Sequence, residues 1–73
     1  MSAVSALLPI TVNGNPVQCP AGLSVEKLLE YLDLPVGRVA VERNREIVSR
    51  GVRESVQVQP DDVFEIVTFV GGG

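Results

Sequence analysis

The 73-residue chain contains no histidine and a single cysteine, Cys19. It therefore lacks the residues for the usual nitrogen–sulfur metal site and for a Ser-His or Cys-His catalytic group. One cysteine cannot build an intramolecular disulfide framework, which fits a reducing, cytoplasmic setting. We interpret Cys19 as a small buried hydrophobe on a hairpin strand. These absences leave little scope for catalysis by the chain's own side chains.

Long apolar runs and an excess of basic residues are also absent. Residues 1–8 are mildly apolar, but they lack a basic region and are far shorter than a membrane span. The net charge of −3 opposes non-specific binding to nucleic acid. The arginines of the middle of the chain alternate with glutamates, which favours a solvated face over a phosphate site. They are Arg38, Arg43, Arg45, Arg50 and Arg53.

What the sequence does contain is enough apolar residues, 45%, for a folded chain. The length is too short for two cores, so we predict a single domain over residues 1–73. Residues 1–7 are expected to form a flexible N-terminal extension. Residues 71–73 are expected to form a flexible tail, because glycine neither packs a core nor holds a regular element at low entropic cost.

Residues 8–19 have the pattern of a β-hairpin. Apolar residues alternate at period two on both sides of Asn13-Gly14, as expected of half-buried strands. These positions are Leu8, Ile10, Val12, Val17 and Cys19. The Asn-Gly dipeptide suits the positive φ angles of a two-residue hairpin turn.

The one helix that the sequence predicts begins after Ser24. Ser24 is a good N-cap, and Glu26 in the first turn suits the positive end of the helix dipole. Apolar residues recur at helical spacing to form one stripe, and Leu34-Pro35 is expected to end the helix. The stripe consists of Val25, Leu28, Leu29 and Leu32.

Three further strands are predicted in the second half of the chain. The third covers residues 39–42, and a short fourth covers residues 46–49 after a turn at Asn44. Residues 51–59 fit either an irregular segment or a short strand. The last strand runs from Val63 to Val70 and follows strong turn chemistry at Pro60-Asp61-Asp62.

The last strand is apolar at both parities, which is typical of a central strand. One helix can cover only one face of a small mixed sheet, so we predict a two-layer α+β fold. Some apolar side chains of the last strand should then be exposed on the open face, where such patches tend to mark interaction sites. The residues of this strand that we predict to bind a partner are Val67, Phe69 and Val70.

The element order and the terminal glycines resemble the ubiquitin-like β-grasp sulfur carriers, and most closely those of thiamine biosynthesis. The resemblance runs from about Ile10 to Gly73. It is carried by Val12-Asn-Gly14, by Ser24-Val25-Glu26 with Leu28-Leu29, by Val41 to Arg50, and by Phe69-Val-Gly-Gly-Gly73. The family often has glycine where this chain has Arg45 and Asp61.

The resemblance implies a β-grasp fold and a protein co-substrate that is not itself an enzyme. The α-carboxylate of Gly73 would be adenylated by a ThiF-like adenylyltransferase that uses ATP. A cysteine desulfurase or another donor would supply sulfur to make a thiocarboxylate, and a ThiG-like thiazole synthase would accept that sulfur. Gly71 and Gly72 would extend the tail into the active sites of the partners. No bound cofactor and no metal are implied.

Three other functions stay open at this point. The small subunit of molybdopterin synthase has the same fold, ending and chemistry, but it tends to be longer, and Val41 to Arg50 favours the thiamine carrier. A β-grasp interaction module would bind through its sheet and leave the tail unreacted. A ubiquitin-like modifier would share the adenylation step and use a lysine as the acceptor.

Overall fold

The computed structural model describes residues 6–69, so the predicted site residues Val70, Gly71, Gly72 and Gly73 lie outside the described residues. The strands and the helix are β1 (Leu7–Val12), β2 (Asn15–Pro20), α1 (Val25–Tyr31), β3 (Val39–Arg43), β4 (Glu46–Ile47) and β5 (Val63–Thr68). Short 3-10 helices cover Val36–Arg38 and Arg50–Val52. The sheet order is β2-β1-β5-β3-β4, so the last strand is central, as predicted.

The sheet is mixed because β5 runs parallel to β1 and antiparallel to β3. β1 and β2 form the predicted hairpin, with Val12 opposite Asn15. Asn13 and Gly14 in its turn have φ angles of 50° and 83°, which is the condition for a type I′ turn. β1 already begins at Leu7, and the Ala6 carbonyl accepts a hydrogen bond from the Ala21 N–H. The prediction that residues 1–7 are an extension is therefore wrong for Ala6 and Leu7.

The helix is capped as predicted, but it ends earlier than predicted. The Ser24 hydroxyl accepts a hydrogen bond from the Lys27 N–H at 3.2 Å. At the other end Asp33 has a φ angle of 60°, and the N–H of Leu34 donates to the carbonyl of Leu29. This is the Schellman arrangement, which closes a helix through one left-handed residue. The helix thus stops before Leu34-Pro35 is reached.

The apolar stripe of the helix packs on one face of the sheet and forms the core. Its first three members, Val25, Leu28 and Leu29, are fully buried, as is Phe64 of β5. Cys19 is also fully buried, which confirms the interpretation of this residue as a small core hydrophobe. The other core residues are Ile10, Val39, Val41, Val48, Val58 and Ile66. The opposite face of the sheet carries no helix in the described part of the chain.

β4 is shorter than predicted, since it ends at Ile47 and not at Ser49. Val48 still donates its N–H to the carbonyl of Val41, but its side chain turns into the core. The chain then enters the 3-10 helix Arg50–Val52 and leaves the sheet. The first half of β3 therefore has no β4 partner beside it.

The turn between β3 and β4 places an arginine where glycine would be less strained. Asn44 and Arg45 have φ angles of 52° and 73°, a region that glycine, asparagine and aspartate tolerate better than arginine does. We expect Arg45→Gly to raise the free energy of unfolding by about 0.5–1 kcal/mol, because relief of strain exceeds the added entropy of the unfolded chain. Urea denaturation would measure the change. Arg38→Gly, at a residue without positive φ, is the control and should give no gain.

Candidate functional site

The exposed end of β5 is the part of the predicted site that the structure describes. Val67 and Phe69 are 59% and 57% exposed, whereas Phe64 and Ile66 on the other side of the strand are buried. This alternation confirms that one parity of β5 enters the core and the other lies on the open face. The N–H of Phe69 donates to the Arg38 carbonyl at 2.8 Å, so the sheet holds the chain up to this residue.

The open face of the sheet is apolar around the end of β5. Val67 lies directly opposite Ala40 of β3, and both are exposed. Ile47 on β4 is 80% exposed, and Val63 at the start of β5 is half-exposed. Exposed apolar residues grouped on one face are typical of interaction surfaces, and on this face they surround Glu42 and Glu65. The prediction of an uncovered apolar face is thus confirmed for the described residues.

Asn13 holds the central strand from the β1–β2 turn. Its side-chain amide donates to the Ile66 carbonyl at 3.0 Å, and its side-chain oxygen accepts from the Ile66 N–H at 2.7 Å. Direct pairing of β1 with β5 covers only Thr11 with Val63 and Val12 with Phe64. The asparagine side chain therefore takes the place of a further strand residue beside Ile66.

Asn44 makes a similar attachment from the β3–β4 turn. Its side-chain oxygen accepts from the Val63 N–H at 2.9 Å, and its backbone N–H donates to the Val63 carbonyl at 2.7 Å. Its side-chain amide donates to Asp62 at 3.0 Å. Both turn asparagines were predicted only as turn residues. Their bonds to β5 join residues 53 and 19 positions apart, which no local pattern reveals.

Asp62 is a buried carboxylate at the entrance to β5. It accepts hydrogen bonds from the Arg43 Nε at 2.7 Å, the Gln59 N–H at 2.8 Å and the Asn44 side chain. Burial alone would raise its pKa, but these bonds and the charge of Arg43 outweigh burial and hold the pKa of Asp62 below its ordinary value. Asp62 is therefore ionised at neutral pH and ties β3 to the start of β5.

Two of the five arginines depart from the predicted solvated face. Arg53 is only 4% exposed, and its guanidinium donates to the carbonyls of Val36 and Val39 at 3.2 and 2.8 Å. It fills the edge of β3 that β4 does not reach, and its Nε has no hydrogen-bond partner within residues 6–69. Arg43 is half-buried in its ion pair with Asp62. The prediction is wrong for these two because both meet partners distant in sequence.

A cavity of about 280 Å³ opens where β3 extends past β4. Its walls are mainly apolar, with Ala40, Ile47 and Val67 among them. Glu42 and Glu65 line it as well, and Arg50 and Arg53 line it beside Val39. Arg50 donates to the Gly37 carbonyl at 3.2 Å. The cavity thus adjoins both the apolar open face and the point where β5 ends.

The thiol of Cys19 is poorly suited to chemistry. Burial, together with the negative charge of Asp62, raises the pKa of the Cys19 thiol above its ordinary value. The thiolate is the nucleophilic form of cysteine, so a raised pKa and a fully buried side chain keep this residue unreactive. Within residues 6–69 no group of three or more His, Cys, Asp and Glu side chains is placed to hold a metal ion. Nor does this part of the chain contain a helix long and apolar enough to cross a membrane.

Sequence comparison finds relatives that are named thiazole synthase and sulfur carrier protein ThiS. The chain is 46% identical over 66 residues to a protein named thiazole synthase from Magnetococcus marinus, covering 90% of this chain and 20% of that protein. It is 42% identical over 50 residues to the sulfur carrier protein ThiS of Bacillus subtilis, covering 68% of this chain and 76% of that protein. The chain therefore spans only a fifth of the length of the first relative.

A solved structure and a family model agree with these relatives. The crystal structure of the thiamine biosynthesis protein ThiS from Geobacter metallireducens superposes with a TM-score of 0.76 at 34% identity, covering 90% of this chain and all of that one. This likeness confirms the predicted ubiquitin-like β-grasp fold. Residues 10–73 match the model of the ThiS family. This match includes the three terminal glycines, which lie outside the described residues. With this match over most of its length, the chain belongs to the ThiS family.

Proposed function

We propose that this protein is a sulfur carrier for thiamine biosynthesis and that the α-carboxylate of Gly73 carries the sulfur. The observation that carries the proposal is the family match over residues 10–73, which reaches the terminal glycine. The fold supports it, because the central strand β5 leads directly toward residues 70–73 and is held on both sides. The relative from Bacillus subtilis is named a sulfur carrier protein.

The chemistry needs activation by a partner. An α-carboxyl group has a pKa of about 3.3–3.7, so at neutral pH it is a carboxylate and a poor electrophile. In adenylation by a ThiF-like adenylyltransferase, the carboxylate attacks the α-phosphorus of ATP and pyrophosphate leaves, so the acyl carbon then bears AMP as a good leaving group. A sulfur nucleophile then attacks that carbon, a carbon–sulfur bond forms, and AMP leaves with the electron pair of the broken bond. The carrier provides no side chain for these steps, so acid, base and metal chemistry belong to the partners.

We further propose that the sulfur acceptor is a thiazole synthase. One relative with this name contains a region similar to this chain within a single, longer polypeptide. A second relative named thiazole synthase, from Paramagnetospirillum magneticum, is 41% identical and again five times longer than the matched part. These names favour thiamine synthesis over molybdopterin synthesis. A cysteine desulfurase or another sulfur donor would supply the sulfur in the cytoplasm. If the donor is a persulfide, its terminal sulfur forms an acyl disulfide with the carrier, and a thiol then cleaves the sulfur–sulfur bond, forming a disulfide with the donor and releasing the thiocarboxylate.

The direct test is the intact mass of the protein after reaction. The full chain is incubated with ATP, a ThiF-like adenylyltransferase from a thiamine pathway and sodium sulfide. Hydrosulfide then displaces AMP, and the mass should rise by the difference between one sulfur and one oxygen atom. Omission of ATP is the control. An unchanged mass with an adenylyltransferase that modifies its own carrier would contradict the proposal.

The open face around Val67 and Phe69 is the proposed contact with the adenylyltransferase, together with Val70. We expect Val67→Asp to weaken binding at least about tenfold, because it places a charge in the centre of an apolar contact. Val52→Asp is the matched control, since Val52 is also half-exposed but lies on the 3-10 helix after β4. Calorimetric titration would measure both. Equal affinities for the two variants would exclude this face.

A further inference from the structure

Two glutamates lie directly opposite each other on the open face. Glu42 of β3 pairs in register with Glu65 of β5, and both side chains are exposed. Like charges at directly opposite positions of an antiparallel pair are destabilising. Ile47 lies on the other side of Glu42, so the pair is set into an apolar surface. The free protein therefore carries an unfavourable charge pair in the middle of its proposed contact face.

No basic side chain of the described residues neutralises this pair. Within residues 6–69 the ion pairs are Lys27 with Glu30 and Arg43 with Asp62. The two arginines that line the same cavity point their guanidinium groups at backbone carbonyls, Arg50 at Gly37 and Arg53 at Val36 and Val39. The two carboxylates are thus available to an external cation.

The surroundings fit a long basic side chain better than a metal ion. Hard divalent ions take six or more oxygen ligands, and no third carboxylate joins this pair within the described residues. Ala40, Ile47 and Val67 line the cavity next to the two glutamates. Arginine and lysine pack an aliphatic stem on apolar surface and keep the charged end toward water or a carboxylate. The cavity of about 280 Å³ offers both kinds of surface side by side.

From this geometry we propose that the adenylyltransferase inserts one arginine or lysine side chain between Glu42 and Glu65. Its stem packs against Ala40 and Val67, and its charged end lies between the two carboxylates. The proposal rests on the proposed function and names the chemistry of the partner surface. It also explains how an unfavourable pair in the free protein becomes favourable in the complex, since an inserted cation removes the repulsion and gains two charge-assisted contacts.

The test compares the double variant Glu42→Gln and Glu65→Gln with Glu54→Gln. Glu54 is exposed and lies in the turn after the second 3-10 helix, so its variant changes charge away from the pair. Calorimetric titration with the adenylyltransferase should show affinity reduced by about tenfold or more in the double variant. Added salt should weaken the wild-type complex strongly and the double-variant complex much less. Glu54→Gln should bind as the wild type does.

A second measurement shows that the loss of affinity does not come from unfolding. Because the like-charge pair is removed, the melting temperature of the free double variant should rise by roughly 1–5 °C. Weaker binding together with higher stability supports the inserted cation. If the double variant binds with unchanged affinity while the wild type still gains sulfur in the mass experiment, the inserted cation is overturned and the proposed function is not. A wild-type chain that gains no sulfur would overturn the proposed function itself.

Discussion

Removal of Gly73 is expected to abolish thiocarboxylate formation while the fold and the melting temperature stay unchanged. The shortened chain would still end in Gly71-Gly72, but its carboxylate would lie one residue, or about 3.3–3.6 Å, short of the position reached by the full chain. A misplacement of only 1 Å can cost about a hundredfold in rate. Intact mass after reaction with ATP, adenylyltransferase and sulfide would show whether the sulfur is gained.

Two control proteins distinguish the effect of losing the carboxylate from the effect of shortening the chain. A protein with the full sequence and an amide at Gly73 keeps the length and lacks the reacting group, and it should also gain no sulfur. A chain without residues 2–5 loses residues that precede β1 and the family match, and it should react as the full chain does. Sulfur gain by the chain lacking Gly73 would show that the reacting residue was assigned wrongly.

Replacement of Asp62 by alanine is expected to lower the free energy of unfolding by about 3–4 kcal/mol. The side chain is buried and accepts three hydrogen bonds, one of them from the charged Arg43. All three donors would lose their acceptor. A chain of this length has a total stability of roughly 4–11 kcal/mol, so a large part would be lost. Urea denaturation at neutral pH would measure the effect, with Asp61→Asn as the exposed neighbouring control.

The same carboxylate predicts how stability depends on pH. Because its folded-state pKa is lowered, Asp62 stabilises the fold fully above its unfolded-state pKa of about 3.9. This contribution is lost as the pH falls through the lower folded-state pKa. Asp62→Asn should therefore lose less stability than the wild type between neutral pH and pH values below about 4. If the free energy of unfolding falls equally with pH in the two proteins, the assigned role of Asp62 is contradicted.

Local patterns were sufficient to predict most of the fold. Alternation gave the β1–β2 hairpin, and the cap at Ser24 and the helical stripe gave α1. Apolar residues at both parities of β5 predicted that this strand is central. The presence of one helix predicted that one face of the sheet is uncovered. Each of these features depends on residues that are neighbours in sequence or repeat at a fixed period. The terminal glycines could be assigned a role only through resemblance to a family.

Two of the features that were missed depend on contacts between distant residues, and a third depends on an unusual local backbone conformation. The burial of Arg53 requires that the start of β3 has no strand beside it, and this follows from the early end of β4. The direct opposition of Glu42 and Glu65 follows from the register of two strands that are far apart in the chain. The early stop of α1 follows from a left-handed Asp33, where sequence rules favour glycine. Charge and period alone do not contain this information.

The hydrogen bonds from Asn13 and Asn44 to β5 also fix the position along the chain at which the sheet ends. Asn13 recognises the backbone of Ile66 and Asn44 that of Val63, so a shift of β5 by one residue would break both sets of bonds. Such a shift would also exchange the buried Phe64 and Ile66 for Glu65 and Val67. The register of β5 is therefore fixed, and with it the number of residues that follow the sheet. Under the proposed function, in which the Gly73 carboxylate enters the active sites of partner enzymes, the fixed register of β5 gives a constant length of chain beyond the sheet.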